Sequence, residues 1–231
     1  MRFLSSILVF LIVITESFSQ NNGTVYYSLE RLEKFTNPRI QKYNLDGSMK
    51  SKFVSDSIAM EILKGDEAVF RLDFDSDHSY FQLTDAYVQH KEIIQRNFHN
   101  YECYVDRALN IPYIHIEVNS TPMFVELPPE TIGEWHFTNE QKIIAGYNCR
   151  KAILKTDYPT DFETSIWFTE DVAVDLGPQA YIGFPGLVLE LEYQHCLIQA
   201  ISIDFENTER IDSPNLQLIS SEEYFELIKL N

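Results

Sequence analysis

The sequence predicts a mainly β protein: a single curled antiparallel sheet, half-barrel or sandwich-like, with few short helices and one of them near the C-terminus. Apolar and polar residues alternate through most of the chain after the first twenty residues, which is the period of a half-buried strand. Pro, Asn and Gly turn signals separate these runs at short intervals, and a helical stripe is clear only close to the C-terminus.

In chain order, 25–32 reads as a strand with a wavering period, and 68–74 alternates more cleanly. In 111–118, Ile114, Ile116 and Val118 face one way, while Tyr113, His115 and Glu117 face the other. Trp135-His136-Phe137 precedes a turn-prone Thr138-Asn139-Glu140, after which Lys142-Ile143-Ile144 and Ala145-Gly146 lead into a strand over 147–155. The turn signal Tyr158-Pro159-Thr160-Asp161 sends the chain back through 162–169 as a β-hairpin. A second hairpin joins 187–193 to 197–205 around Gln194-His195-Cys196. Met60 to Lys64 is too short to assign. Ser220 and Glu223 form a capping box ahead of a helix whose apolar residues at 224, 225, 227, 228 and 230 make one stripe suited to docking on a sheet.

The composition is that of a folding globular chain. Of 231 residues, 45% are hydrophobic and 23% charged, with 16 Phe and 13 Tyr as bulky core material. Lys plus Arg number 18 against 35 Asp plus Glu, a net charge of −17 with a pI near 4.6. Such an acidic surface excludes nucleic acid and repels anionic lipid headgroups.

Met1-Arg2 followed by an apolar run from Phe3 to Ile14 has the form of a secretory leader, and Ser17 and Ser19 place the cleavage after residue 19. The run is too short to cross a bilayer, which takes ~20 apolar residues. Residues 20–231 are then one β-rich domain, exported to the periplasm or the extracellular space, with no direct membrane span. In an oxidising compartment two of the three cysteines can pair. Cys149 is the expected member of the bridge, with Cys103 or Cys196 as its partner. The alternative is three buried thiols serving as small apolar residues.

The segment from Asp175 to Leu189 departs most sharply from the rest. Gly177-Pro178 and Gly183-Phe184-Pro185-Gly186 place three of the 8 glycines and two of the 9 prolines within ten residues, directly before a nearly apolar strand. The expected conformation is an ordered double turn with positive φ at glycines. The simpler role is a turn that lets the backbone pass close to its neighbours.

This segment and the residues before it resemble the GLPGLI family, also called Porph_ging, of the Bacteroidota. Gly183-Phe184-Pro185-Gly186-Leu187-Val188 matches the run that names the family. Lys142-Ile143-Ile144-Ala145-Gly146-Tyr147-Asn148-Cys149-Arg150-Lys151-Ala152 matches its Lys-x-Ile-x-Gly-Tyr-x-Cys-x-Lys-Ala element. Trp167-Phe168-Thr169 and Gly177-Pro178 match its remaining elements. Phe184 and Val188 are conservative departures, and Ala173 stands where Pro is common. The resemblance covers residues 134 to 192 and implies an exported envelope protein, with genes of many relatives lying near those of outer-membrane transporters. It implies no reaction, cofactor or catalytic residue. Gly146, Tyr147, Cys149, Lys151, Trp167, Gly177, Pro178, Gly183, Phe184, Pro185, Gly186 and Leu187 are therefore read as structural motif residues.

The remaining constellations are weak. Asp73-Phe74-Asp75-Ser76-Asp77 opens like a calcium loop, but His78 and Thr84 stand where Gly and Glu belong. His78, His90, His99, His115, His136 and His195 form no metal-binding pattern, although His195 beside Cys196 is the pair to inspect first. No Gly-x-Ser-x-Gly elbow or Gly-rich phosphate loop occurs, so no catalytic, metal or cofactor site is assigned. Trp135, Trp167 and Phe168 belong in the core, or else anchor an apolar ligand on a concave face.

The functional expectation is a non-enzymatic envelope protein that binds or escorts an apolar ligand or a polypeptide linked to an outer-membrane transporter. An exported hydrolase or metal-dependent enzyme without a recognisable motif is the alternative, and a structural interaction module is a third. A deep apolar cavity favours a ligand, a cleft of convergent His, Asp or Cys favours an enzyme, and a filled core with an exposed apolar patch favours a protein partner.

Overall fold

In the computed structural model the described residues are 21–31, 67–92, 94, 101–127, 134–155, 164–193, 196–206 and 210–229. The leader, Met60 to Lys64, His99, the Tyr158–Asp161 turn and His195 lie outside them.

The described residues form β1 (Gly23–Arg31), β2 (Phe70–Phe74), β3 (His78–Leu83), β4 (Cys103–Asp106), β5 (Ile111–Val118), β6 (Thr121–Glu126), β7 (Glu134–Ile144), β8 (Tyr147–Lys155), β9 (Ser165–Thr169), β10 (Leu187–Tyr193), β11 (Cys196–Asp204), β12 (Leu218–Ile219) and helix α1 (Ser221–Lys229). All strands belong to one sheet in the order β12-β6-β5-β4-β3-β2-β1-β11-β10-β9-β8-β7, which is not closed into a barrel. Every pairing is antiparallel except β12 with β6. The predicted mainly β fold with a single curled sheet is the one observed. Its central seam joins β1 to β11, pairing Thr24 with Asp204 and Arg31 with Cys196.

Alternation sorts each strand onto two faces, because residues directly opposite across an antiparallel ladder share a side. On the inner face Val25, Leu72, Phe81 and Cys103 stand in one row and are buried. Tyr27 and Phe70 follow in the next, and Phe81 stacks on Phe70 with ring centroids 5.0 Å apart. The chain between β9 and β10 fills the space inside the curl: Val172, Val174, Leu176, Ala180, Ile182 and Phe184 are all buried in the same core as the strands. Its 3-10 turn at Pro178–Ala180 packs against β3, β4 and β5, far from β10 in sheet order.

The two expected hairpins form, β8–β9 and β10–β11. Thr138-Asn139-Glu140 is no turn: β7 runs straight through it, and the register moves from Phe137 opposite Ala152 to Gln141 opposite Arg150, so the three residues bulge. The reversal comes at Ala145-Gly146, with φ of 48° and 87°, a two-residue turn whose twist suits a hairpin. The capping box of α1 forms, Ser220 Oγ accepting from Glu223 N at 3.2 Å and Glu223 Oε2 from Ser220 N at 3.0 Å. The docking stripe does so only in part. Tyr224 packs on Met123, Val125 and Ile219, whereas Phe225, Leu227 and Ile228 stay exposed.

Candidate functional site

The Gly/Pro segment is held by its own backbone. Val188 N donates to Leu176 O at 2.8 Å, Gly183 N to Asp175 O at 3.2 Å and Tyr181 N to Pro178 O at 3.2 Å. These amides are thereby committed to the scaffold. Gln179 and Ala180 are both buried with φ of 56° and 63°, an unusual conformation for residues with a side chain. Of the motif glycines in this segment only Gly183 takes positive φ, at +82°. Gly177 and Gly186 are needed for space: a Cβ on Gly177 would meet Val188 Cβ at 2.7 Å, and one on Gly186 would meet Thr169 O at 1.9 Å. The positive-φ expectation is thus replaced, at these two positions, by close approach of backbone.

After Gly186, β10 carries a bulge that decides what the site contains. Val188 pairs with Phe168 and Glu190 with Trp167, leaving Leu189 as the extra residue. Without that slip Glu190 would stand opposite Ile166 and point into the apolar interior; with it, Glu190 moves to the outer face. Tyr27, buried on the central strand, donates its hydroxyl to Val188 O at 2.8 Å and pins the bulge.

On that outer face Glu190 has 3% of its side-chain surface exposed and is surrounded by donors. Lys142 Nζ, arriving from β7, lies 2.6 Å from both carboxylate oxygens. Gln199 Nε2 donates to Oε2 at 2.5 Å from β11. The same ammonium sits 4.3 Å from the centroid of the Trp167 ring. Below it, Cys149 is opposite Lys142 in the ladder, and burial pushes its thiol up to about 11. A carboxylate so desolvated is tolerable only because it is paired and fully hydrogen-bonded.

The sequence reading placed Lys142, Trp167 and Cys149 in family elements but missed Glu190 and Gln199. The signal was present: Glu190 is a lone carboxylate inside Leu187-Val188-Leu189-Glu190-Leu191, which demands a buried cationic partner. Lys151 is 3.8 Å from Glu140 across the bulge. Tyr147 packs half-buried on the core. Phe184 meets Phe168 at 6.0 Å and Trp135 at 5.1 Å, which makes Phe168 and Phe184 core residues and Trp135 a half-buried extension of it. Leu187 is fully buried, and Pro178 and Pro185 shape the two corners.

Among the described residues Cys149 forms no disulfide. Cys149 on β8 and Cys196 on β11 are three strands apart in the sheet. Cys103, on β4, lies in the other half of the sheet, where burial raises its thiol well above the ordinary range.

A second polar cluster occupies the outer face of β3–β5. Tyr80 donates its hydroxyl to Glu102 Oε1. Glu102 Oε2 lies 3.7 Å from His115 Nδ1 and 3.8 Å from Lys91 Nζ, and the Tyr101 hydroxyl is 3.3 Å from the same ring nitrogen. His115 is wedged between Tyr101 and Phe124, with 7% of its side chain exposed against 17% for Glu102. Its desolvation holds the imidazole below its usual pKa, against the opposing pull of Glu102.

The calcium-like run is used internally. Asp75 Oδ1 accepts from Asp77 N at 2.8 Å and His78 N at 2.7 Å, and Oδ2 from Ile211 N at 2.9 Å. Among the described residues no three His, Cys, Asp or Glu side chains converge as a metal-ligand set. No described helix is long and apolar enough to cross a membrane.

Comparison with known proteins extends this picture. No curated protein matches the chain. Two solved structures of PNGF-II, in P21 and C2 crystals, are similar at 15% identity with TM-scores of 0.56 and 0.53. The match covers 90% of this chain but 33% and 32% of those, so the chain spans about a third of their length, and the likeness is one of fold alone. The strand–turn–strand unit that buries Phe184 and re-aims Glu190 is what a family model recognises: residues 154–190 match Porph_ging, described as a protein of unknown function, the family the Gly-Phe-Pro-Gly motif pointed to.

Proposed function

We propose that this is an exported, non-enzymatic binding module whose partner is a polypeptide of the cell envelope. One observation carries the reading: the aromatic layer of the core runs out to an edge strand and is left open there. Phe184 and Phe168 are buried, Phe137 on β7 stacks edge-on against Phe168 at 5.6 Å, and Phe137 is 44% exposed. The interior of the curl is occupied by the side chains of the Gly/Pro segment, which favours a protein partner over a ligand carried inside. Export rests on the leader sequence at 1–19, and the link to an outer-membrane transporter on the family resemblance. Among the described residues, the buried pair that an exported hydrolase could use is Glu102 with His115. Both are engaged with Tyr80, Tyr101 and Lys91, an arrangement that ties strands together.

The test is affinity capture from the protein's own envelope with the wild-type chain and with Phe137→Lys. A polypeptide retained by the first and lost by the second supports the reading. Equal capture by both, or hydrolysis of an ester, peptide or glycoside panel that His115→Gln abolishes, overturns it. N-terminal sequencing of the exported protein should begin at Gln20.

A further inference from the structure

We propose that His115 changes partners when it takes up a proton: the neutral ring accepts from the Tyr101 hydroxyl and leaves Glu102 to Lys91, and the protonated ring takes Glu102 and releases Lys91. The inference is independent of the partner protein proposed above. It starts from one nitrogen. His115 Nδ1 lies 3.3 Å from the Tyr101 hydroxyl and 3.7 Å from Glu102 Oε2. A hydroxyl donates to an imidazole nitrogen that carries a lone pair, whereas a carboxylate only accepts and needs that nitrogen protonated. Each neighbour therefore suits one protonation state. Burial pushes the Tyr101 phenol above its ordinary range, so it keeps the proton it donates.

The carboxylate is contested in the same way. Tyr80 occupies Oε1, which leaves Oε2 between Lys91 Nζ at 3.8 Å and His115 Nδ1 at 3.7 Å. Both distances exceed a hydrogen bond, so Oε2 is committed to neither donor. A charged His115 beside Lys91 adds repulsion between the two. The backbone need not move, because His115 N donates to Glu102 O at 3.0 Å and keeps ring and carboxylate side by side in either state.

The groups facing His115 bias this exchange without blocking it. Desolvation weighs most and disfavours the charged ring; Glu102 favours it, Lys91 opposes it, and Glu117 on the same strand favours it. Phe124 of β6 adds a ring and no charge. Lys91 is the movable member, with 45% of its side chain exposed and its ammonium 5.5 Å from the Tyr101 ring centroid. It ends the 3-10 turn Val88–His90, where Lys91 N donates to Val88 O and His90 N to Tyr87 O. Acid thus loosens the turn that follows β3 from the residues that open β4.

The experiment follows the mature protein, with isotope-labelled imidazoles, by NMR from about pH 7.5 to about 5, together with hydrogen exchange at the His90 and Lys91 amides corrected for the intrinsic rate. At the upper pH the His115 proton should sit on Nε2 and leave Nδ1 bare; on acidification Nδ1 should gain one. In step with that gain, exchange at the two amides should rise by about threefold, the worth of one half-exposed ion pair. Tyr101→Phe removes only the hydroxyl and should move the imidazole midpoint to higher pH. Lys91→Met should move it the same way and abolish the exchange response, and His115→Gln should keep exchange slow down to the lower pH. A proton on Nδ1 of the neutral ring, read in the wild-type chain and so free of any folding defect, overturns the inference. An unmoved midpoint in folded Tyr101→Phe, or the same acid-driven rise in His115→Gln, overturns it as well.

Discussion

Gly186 lies against the backbone of Thr169 so closely that a methyl group added to it would sit 1.9 Å from the Thr169 carbonyl oxygen. Gly183, three residues earlier, has the opposite problem: open space around it but a φ of +82°. The two glycines of one motif thus answer to different physics, and their substitutions should rank accordingly. Gly183→Ala should cost about 1–2 kcal/mol, the usual penalty for a left-handed residue with a Cβ. Gly186→Ala must move backbone and should cost about 4 kcal/mol or more. Urea unfolding of both variants checks the order, and equal losses would show that β9 and the turn can separate freely.

Lys142 and Glu190 should behave as a coupled pair. Lys142→Ala leaves a carboxylate with 3% exposure unpaired and should cost about 3 kcal/mol. Lys142→Met with Glu190→Leu removes both charges while keeping the volume, and should recover most of that loss. A double-mutant cycle by chemical denaturation measures the coupling; additive effects would mean that Gln199 alone holds the carboxylate.

His115 gives a pH dependence with a definite sign. Its folded pKa is depressed from 6.5 by desolvation, partly offset by Glu102 and Glu117 and reinforced by Lys91. The unfolded chain therefore binds more protons just below 6.5, so the stability linked to this group is fully present above that value and is lost as pH falls toward the folded pKa. Unfolding free energy measured across pH 7.5 to about 5 should decline, and the decline should be shallower in His115→Gln.

Alkylation tests the bridge from Cys149 that the sequence leads one to expect. Denatured without reductant, the protein should take up alkylating agent at Cys103, Cys149 and Cys196 alike. In the native state at pH 8, Cys149, fully buried and with its thiol raised to about 11, should resist modification. Intact mass spectrometry reads both; a native mass two hydrogens short would restore the disulfide.

Local pattern made much of this fold legible. β8, β10, β11 and the capping box of α1 follow from alternation and a four-residue signature, because each is decided by neighbours along the chain. Thr138-Asn139-Glu140 escapes such a reading, since turn-prone residues on an edge strand bulge as readily as they reverse. The site was less legible for a related reason. That Glu190 faces Lys142 depends on one extra residue at Leu189, and a register slip carries no composition of its own. His115 and Glu102 are thirteen residues apart in sequence and adjacent only because β4 and β5 pair, His115 N donating to Glu102 O at 3.0 Å. Their partners Tyr80 and Lys91 come from other parts of the chain altogether.

The seam between β1 and β11 fixes when the molecule can mature. β1 is shared by β2 on one side and β11 on the other, so residues near 25 and near 203 must meet before the two halves of the sheet become one. Such distant closure is entropically late and slow. A chain lacking everything beyond residue 193 would expose the flank of β1 and the polar edge of β10, and would remain sticky and unfinished however good its early hairpins. Until that last ribbon slides in, the sheet stays in two separate halves.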